Sequence, residues 1–369
     1  MSKLLISKKI LKDLDFVLLL TVLAIVAVGI VNIYSATYKD AGFYYVKRQI
    51  FWLCFSLIVM YVLILIDYST IGVYSEIIYW FFNVALLFTF LFAIATNGAK
   101  GWLYFGPISF QTSEFAKIAL CIFLAKKISE FEGKISKISE LLIIIGYAAI
   151  TMALIVIEPD MGMTMLCFFM VLGIIYVSGT DWKQITALLI LIAGIIVFVL
   201  KFQMLPSYMR DRITGFFDTS GTQTDIYQLL QSIIAIGSGK IFGNGFLQSI
   251  KVSGGFVPEA STDFIFSVIG EEWGLIGGTI LILLYIILIS RVIKISKKAK
   301  NSFGMIFSSG IASLWIFQIF QNIGMTIGVM PVTGVTLPFV SYGGSSLLSC
   351  FMALGLILNI GMRKKKFMF

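Results

Sequence analysis

The sequence predicts an all-α polytopic membrane protein of about ten transmembrane helices. Both termini are expected to be cytoplasmic, with one long extracytoplasmic loop between spans 7 and 8. Three observations carry this expectation. Of 369 residues, 59% are hydrophobic and only 13% are charged, about half the charge of an ordinary soluble domain, and the mean hydropathy is +0.98. Apolar runs long enough to cross about 30 Å of hydrocarbon recur along nearly the whole chain. Lys and Arg crowd the connections on one side of those runs. No internal repeat or low-complexity tract breaks the pattern, so residues 1–369 read as a single integral membrane domain.

The runs lie near 16–34, 50–66, 76–95, 111–126, 141–157, 162–178, 184–200, 263–289, 304–330 and 345–362. Lys3, Lys8, Lys9 and Lys12 precede the first, as in a signal peptide. That run is too long for a signal peptide's apolar region and lacks a small-residue cleavage site, so it reads as a retained span. Ten spans put both termini on one side. Eighteen Lys and Arg fall on the terminal side, but only Lys39, Lys47, Arg48 and Lys100 on the short loops opposite. The positive side is cytoplasmic, and the net charge of +9 is topological rather than a nucleic-acid footprint.

Residues 201–262 form the exceptional connection, long enough to be functional. Within it Ile226, Leu229, Leu230, Ile233 and Ile234 recur at helical spacing, with Gln228, Gln231 and Ser232 opposite. That pattern suits a helix lying in the membrane interface or dipping back into the protein. Gly237, Gly239, Gly243 and Gly245 then read as a loose, turn-rich backbone.

Histidine is absent, which excludes His-ligated metals, Ser-His-Asp triads and imidazole proton relays. Cys54, Cys121, Cys167 and Cys350 are widely spaced in apolar runs, so neither a disulfide framework nor a zinc site is expected.

Ionisable groups at membrane depth are costly and mark site candidates. Four clusters stand out. In GAKGWLYFGPISFQTSEFAK, Glu114 and Lys117 are three apart on the fourth span and can pair on one helical face. Glu158 and Asp160 straddle Pro159 at a span boundary, where both can cap helices at the water line. Asp263 opens the eighth span, where Ser261 or Thr262 is a candidate cap and the helix dipole favours a carboxylate in the first turn. Glu271 and Glu272 follow roughly 12 Å deeper on a straight helix, a depth that requires at least one to face a polar cavity. Finally, MPVTGVTLPFVSYGGSS breaks helix continuity between the last two spans, which membranes tolerate only in protein or along a cavity.

In this order, these clusters resemble the SEDS family of shape, elongation, division and sporulation proteins, bacterial peptidoglycan glycosyltransferases that include RodA and FtsW. The matching strings are GWLYFGPISFQTSEFAK, EPDMG, YQLLQSIIAIGSGKIFGNGF, PEASTDFIFSVIGEEWGLIG and NIGMTIGVMPVTGVTLPFVSYGGSS. The NIGMTIGVMPVTG stretch is more similar to RodA-type members than to FtsW, although sporulation-type members share much of it. The resemblance implies polymerisation of lipid II into glycan strands on the outer face of the cytoplasmic membrane, for cell elongation and shape. It implies a class B penicillin-binding protein, the crosslinking transpeptidase, as partner. It places the catalytic aspartate at Asp263, and matches Trp102, Glu114 and Lys117 to family site residues. Ala260 and Ser261 stand where many relatives have a histidine before the threonine.

The chemistry of the residues agrees. Glycosyl transfer needs a base for the acceptor hydroxyl, and without histidine that base is a carboxylate, with Asp263 the outer-face candidate. It also needs positive charge near a departing pyrophosphate, which Lys117, Arg48, Arg210, Arg212 or a divalent cation (Mg²⁺ or Mn²⁺, with Asp263 as a ligand) can supply. Glu259, Gln231, Ser341 and Ser345 are the further candidates for substrate contact, and the membrane lipids surround the whole. A lipid II flippase shares the need for intramembrane carboxylates, but the polar residues crowd one face rather than bracketing the midplane. A scaffold for cell-wall enzymes needs no buried acids.

Overall fold

The computed structural model describes residues 13–93, 101–105, 108–201 and 224–363. Helices follow the apolar runs: α1 (Phe16–Ala41), α2 (Tyr44–Leu65), the short α3 (Tyr68–Val73) and α4 (Ser75–Phe92). An antiparallel hairpin of β1 (Trp102–Phe105) and β2 (Ile108–Gln111) leads into α5 (Thr112–Glu130). Next come α6 (Ile138–Ile157), α7 (Met161–Val177) and α8 (Trp182–Lys201). The long connection supplies α9 (Thr224–Ser238) and α10 (Ile250–Ser253), and the chain ends with α11 (Ile265–Lys297), α12 (Ser302–Thr326) and α13 (Gly344–Met362).

Ten of these helices correspond one-to-one with the ten predicted spans. Seven are long and apolar enough to cross a membrane by length and hydropathy alone: α1, α2, α4, α6, α11, α12 and α13. Helix α7 and the first part of α8 are apolar but shorter. Helix α5 carries Glu114, Lys117, Lys126, Lys127 and Glu130, which dilute its hydropathy, yet every residue from Thr112 to Ala125 is buried. Protein rather than lipid is its solvent. Helix α13 packs along α2, α12 along α7 and α11, and α5 along α4.

Pairing along α1 sets the vertical register. The Arg291 guanidinium donates to the Asp15 carboxylate at 2.6–3.1 Å, and Trp273 Nε1 donates to Asn32 Oδ1 at 3.2 Å. Seventeen residues of α1 thus match eighteen of α11, about 26 Å of antiparallel helix. At the Trp273 end of that stretch α11 is not straight. Gly274 has φ +63° and ψ −159° and divides it into a short half-helix and a span. A methyl group at Gly278 would meet the Phe266 ring at 3.4 Å, although twelve residues of straight helix cover about 18 Å. The half-helix therefore folds over rather than standing upright on the span. Glu271 and Glu272 belong to this half-helix, on the Asp263 side of the break, so they run on from Asp263 without reaching down the span.

The break frees backbone groups, and the 239–245 loop takes them. The carbonyls of Glu271 and Glu272 accept from Asn244 and Gly245 N–H, while Leu275 and Ile276 N–H donate to Lys240 and Ile241 carbonyls. Backbone this irregular survives at membrane depth because protein satisfies it. A Cβ at Gly274 would lie 2.4 Å from Gly243 N, so the contact is built on bare backbone. The loop is rich in turns as expected, but Gly239 and Gly243 are packed tightly against backbone rather than loose, while Gly237 has open space.

Helix α9 forms where the spacing predicts a helix. Ser232 is buried, donating to the Thr326 carbonyl at 2.7 Å and sharing a 2.6 Å bond with Ser267. Tyr227, Leu230, Ile233 and Ile234 face outward.

Candidate functional site

The residue expected to do the chemistry sits in a turn. Asp263 precedes α11, whose first residue is Ile265 and whose N-cap, Phe264, makes no side-chain cap bond. Thr262 does not cap the helix either; its hydroxyl turns back to Glu259, donating to Oε2 at 2.9 Å. Neither Asp263 nor its neighbours is therefore the helix cap anticipated from the sequence. Glu259 itself has φ +53°, and its carbonyl accepts from Thr262 and Phe264 N–H at 3.1 Å. This compact turn presents Asp263 to one side.

That side is the broken segment between α12 and α13. A methyl group at Gly334 (φ +69°) would lie 3.3 Å from Asp263 Oδ2, so the carboxylate rests against bare backbone that only glycine readily supplies. Three residues fasten turn to segment. Asn322 Nδ2 donates to the carbonyls of Asp263 (2.8 Å) and Val335 (2.7 Å). Ser341 Oγ donates to the Thr262 carbonyl at 2.6 Å and accepts from Leu337 N–H at 2.7 Å. Tyr342 N–H donates to the Ser261 carbonyl at 2.9 Å. Ser341, expected as a substrate contact, thus spends its hydroxyl on the backbone beside Asp263.

The segment's other face touches the 158–162 turn. A Cβ at Gly162 would lie 2.6 Å from the Thr333 carbonyl oxygen, so α7 begins directly behind Gly334. Asp160 does cap this helix, Oδ1 accepting from Met163 N–H at 2.9 Å. Its Oδ2 accepts from Gln111 Nε2 at 3.1 Å and from Ser113 Oγ at 3.5 Å, tying the hairpin to the same wall. Glu158 differs from the expected water-line cap. It is fully buried, and neither carboxylate oxygen has a hydrogen-bond partner among the described residues. Between the two spans, burial and then the neighbouring Asp160 raise its pKa to about 8.

Deeper along this wall, Lys117 Nζ lies 2.6 Å from Glu114 Oε2, both residues buried. Ser349 Oγ donates to the same oxygen at 2.6 Å. The expected pair exists, held by a third group from α13. Ser345 accepts from Gln111 N–H at 3.1 Å and so anchors the hairpin on which Trp102 pairs with Gln111.

On the opposite rim, Arg48 donates to Tyr44 OH at 3.1 Å with its guanidinium 5.6 Å from that ring. Its neighbour Gln49 donates to the Ser341 carbonyl at 3.2 Å and accepts from Gly343 N–H at 3.3 Å, which brings Arg48 to the Asp263 side. Gln231 is half-buried on α9; its Oε1 is buried with no bond partner among the described residues. Arg210 and Arg212 lie outside the described residues.

Glu271 and Glu272 face protein, not a polar cavity. Glu271 accepts from the N–H groups of Ile250, Lys251 and Val252 at 2.8, 2.8 and 3.2 Å. Glu272 accepts from Ser35 Oγ. Asn322 and Gln49, which hold the segment in place, were not singled out in the sequence. The amide-rich string QIFQN, residues 318–322, on an otherwise apolar span was the signal for Asn322. Among the described residues no group of three or more acidic or cysteine side chains forms a metal cage. Among the described residues Asp263 supplies one carboxylate there, and phosphate and water oxygens are further ligands suited to a divalent ion.

Comparison with known proteins follows this architecture from end to end. The family model for FtsW, RodA and SpoVE, described as "Cell cycle protein", matches residues 14–366. Stage V sporulation protein E of Bacillus subtilis is 34% identical, with 94% of this chain and 96% of that protein covered. Peptidoglycan glycosyltransferase MrdB of Escherichia coli is 33% identical over 95% of this chain and 94% of its own. A solved structure reported as "Structural coordination of polymerization and crosslinking by a peptidoglycan synthase complex" superposes with TM-score 0.83 at 28% identity, covering 94% of this chain and 97% of that one. The Rod shape determining protein RodA of Thermus thermophilus gives TM-score 0.73 at 27% identity, covering 96% and 98%. The chain is a multi-pass membrane protein that belongs to the FtsW, RodA and SpoVE family, the SEDS family.

Proposed function

We propose that the chain is a peptidoglycan glycosyltransferase that polymerises lipid II at the long-loop face of the bacterial cytoplasmic membrane. The observation that carries the reading is the Asp263 carboxylate, held by a stitched turn against Gly334 at one end of a polar wall that continues to Asp160 and the Glu114–Lys117 pair. The names of the relatives support the same activity.

In this reading the acceptor sugar hydroxyl attacks the anomeric carbon of the donor. A carbon–oxygen bond forms there as the bond to the lipid pyrophosphate breaks, and the electron pair leaves with the pyrophosphate. Asp263 takes the hydroxyl proton. Fixed positive charge offsets the departing pyrophosphate, with Arg48 on the rim and Lys117 in the wall as its described sources. A divalent cation held by Asp263 and pyrophosphate oxygens would add to that charge; polymerisation with and without chelator tests it. The partner is a crosslinking transpeptidase of the class B penicillin-binding type, in keeping with the synthase complex that the fold matches. A role in elongation and shape rests on the RodA-like 322–334 string, since sporulation and RodA-type relatives stand within one per cent in identity.

The test is Asp263→Asn. The amide keeps size and a hydrogen-bonding oxygen but accepts no proton at neutral pH. Purified variant should fold and bind its transpeptidase, yet make less than about 1% of wild-type polymer from labelled lipid II. Near-normal polymer would return Asp263 to a structural role. Lipid translocation in liposomes, with no polymer from the wild type, would favour a flippase.

A further inference from the structure

We propose that Glu271 is a positioning residue for the Asp263 site, acting through the strap that leads into it. The proposal rests on the polymerase reading above.

The chain from Ile250 to Glu271 forms a closed loop. It starts with α10, turns at Gly254 and Gly255, passes through the Glu259–Phe264 turn that bears Asp263, and ends in the half-helix of α11. The Glu271 carboxylate closes it, accepting from three consecutive N–H groups of α10 and lying 0% exposed. Bonds from backbone N–H to a carboxylate are charge-assisted and stronger than neutral ones. A side chain grips backbone at each end of the half-helix, one as a neutral donor and one as a charged acceptor. At the Asp263 end, Asn322 grips the backbone carbonyl; eight residues on, Glu271 grips the strap.

The half-helix needs such a grip. At Gly274 it is joined to the span by a single left-handed residue, so the span's own helical bonds do not fix its direction. Side-chain bonds do: Ser267 to Ser232, Glu272 to Ser35, and Glu271 to the strap. The last closes on α10 itself, while Glu272 also lies beside Ser249 and Leu247 just ahead of it. If the Glu271 grip loosens, the turn at 259–264 is held on one side alone, and the carboxylate drifts from the attacking hydroxyl. A displacement of about 1 Å in a reacting group costs up to about a hundredfold in rate.

Two variants test this without removing the acid at 263. Glu271→Gln keeps an oxygen acceptor but loses the charge, and turns an amide N–H₂ toward the backbone donors. Ile250→Pro leaves Glu271 intact and deletes one donor at the first position of α10, where proline is tolerated; the Ile250 side chain is 72% exposed. With purified protein and lipid II, Glu271→Gln should lower kcat by about tenfold to a hundredfold, with KM changed less than about twofold. Ile250→Pro should lower kcat by a smaller factor in the same direction. Hydrogen exchange should quicken at residues 250–264 in both, more than elsewhere in the chain, and Glu271→Gln should also lower the melting temperature by a few degrees. Glu272→Gln, which retains the oxygen facing Ser35, serves as the neighbouring control and should leave kcat within about twofold.

Wild-type kcat in Glu271→Gln would overturn the proposal, as would a loss expressed in KM alone. If Glu271→Gln fails to fold, Ile250→Pro decides: wild-type kcat there overturns the proposal and a lowered kcat sustains it. Absence of polymer from the wild-type protein would instead overturn the polymerase reading. An active wild type with an inactive Asp263→Asn and a fully active Glu271→Gln would remove the positioning role alone.

Discussion

Helices α5 and α11 both carry acids into the bundle, and they neutralise them by opposite means. In α5 the helix stays continuous, and Glu114 is met by a cation from its own next turn, Lys117, and a hydroxyl from Ser349. In α11 the helix breaks at Gly274, and Glu271 is met by backbone N–H groups of a loop. The first arrangement makes a fixed couple embedded in a rigid wall. The second makes a joint whose two sides are held by hydrogen bonds. The difference places a continuous helix behind the Glu114–Lys117 couple and a hydrogen-bonded joint behind Asp263.

The joint breaks most completely at its glycine. A Cβ at Gly274 would lie 2.4 Å from Gly243 N, 2.7 Å from the Ile241 carbonyl oxygen and 2.8 Å from that of Gly239, in a backbone conformation that L residues rarely adopt. All three neighbours are backbone and cannot swing aside. Gly274→Ala should cost more than about 4 kcal/mol, seen as loss of folded, monodisperse protein on extraction. Gly146, with no neighbour within 4 Å of an added Cβ, should accept alanine without that loss.

The couple breaks by halves. Lys117→Ala leaves Glu114 buried with Ser349 alone, and should cost about 3–5 kcal/mol, read as a fall in melting temperature and yield. Glu114→Gln combined with Lys117→Met removes both charges and should recover most of the folding. Recovered folding without recovered polymerisation would assign the pair to substrate handling. Recovery of both would make it structural.

The contrast also explains what was legible in the sequence. Ten spans were legible because about twenty apolar residues per crossing is a local demand. Glu114 and Lys117 were legible because helix geometry places positions three apart on one face. Asp263 was marked as an acid at a span end, but its role came from resemblance, and the helix that should have made it a cap begins two residues later. The break at Gly274 was hidden, since GEEWGLIGG reads as one helix until the 239–245 loop is seen to occupy the freed backbone groups. Glu271 faces donors some twenty residues away through irregular chain, Gln49 a carbonyl 292 residues away. No periodicity encodes such partners.

Glu158 has neither device, and so measures what the other two accomplish. It is buried beside Asp160 with no cation and no N–H donor among the described residues. Its pKa of about 8 lies well above the ordinary carboxylate value, so the folded state holds its proton where the unfolded chain has released it. The sign follows from that difference. Stability is greatest below the ordinary value, near pH 4.5, and falls as pH rises from there to about 8, where the folded group also ionises. Glu158→Gln fills the same space without a titrating proton. It should therefore match wild type near pH 4.5 and exceed it increasingly toward pH 8, by on the order of 4 kcal/mol. Melting temperatures of the two proteins in the same detergent at pH 5, 6.5 and 8 check this. Parallel curves would mean that Glu158 finds a partner in the membrane-embedded protein, which would bring it into line with Glu114 and Glu271.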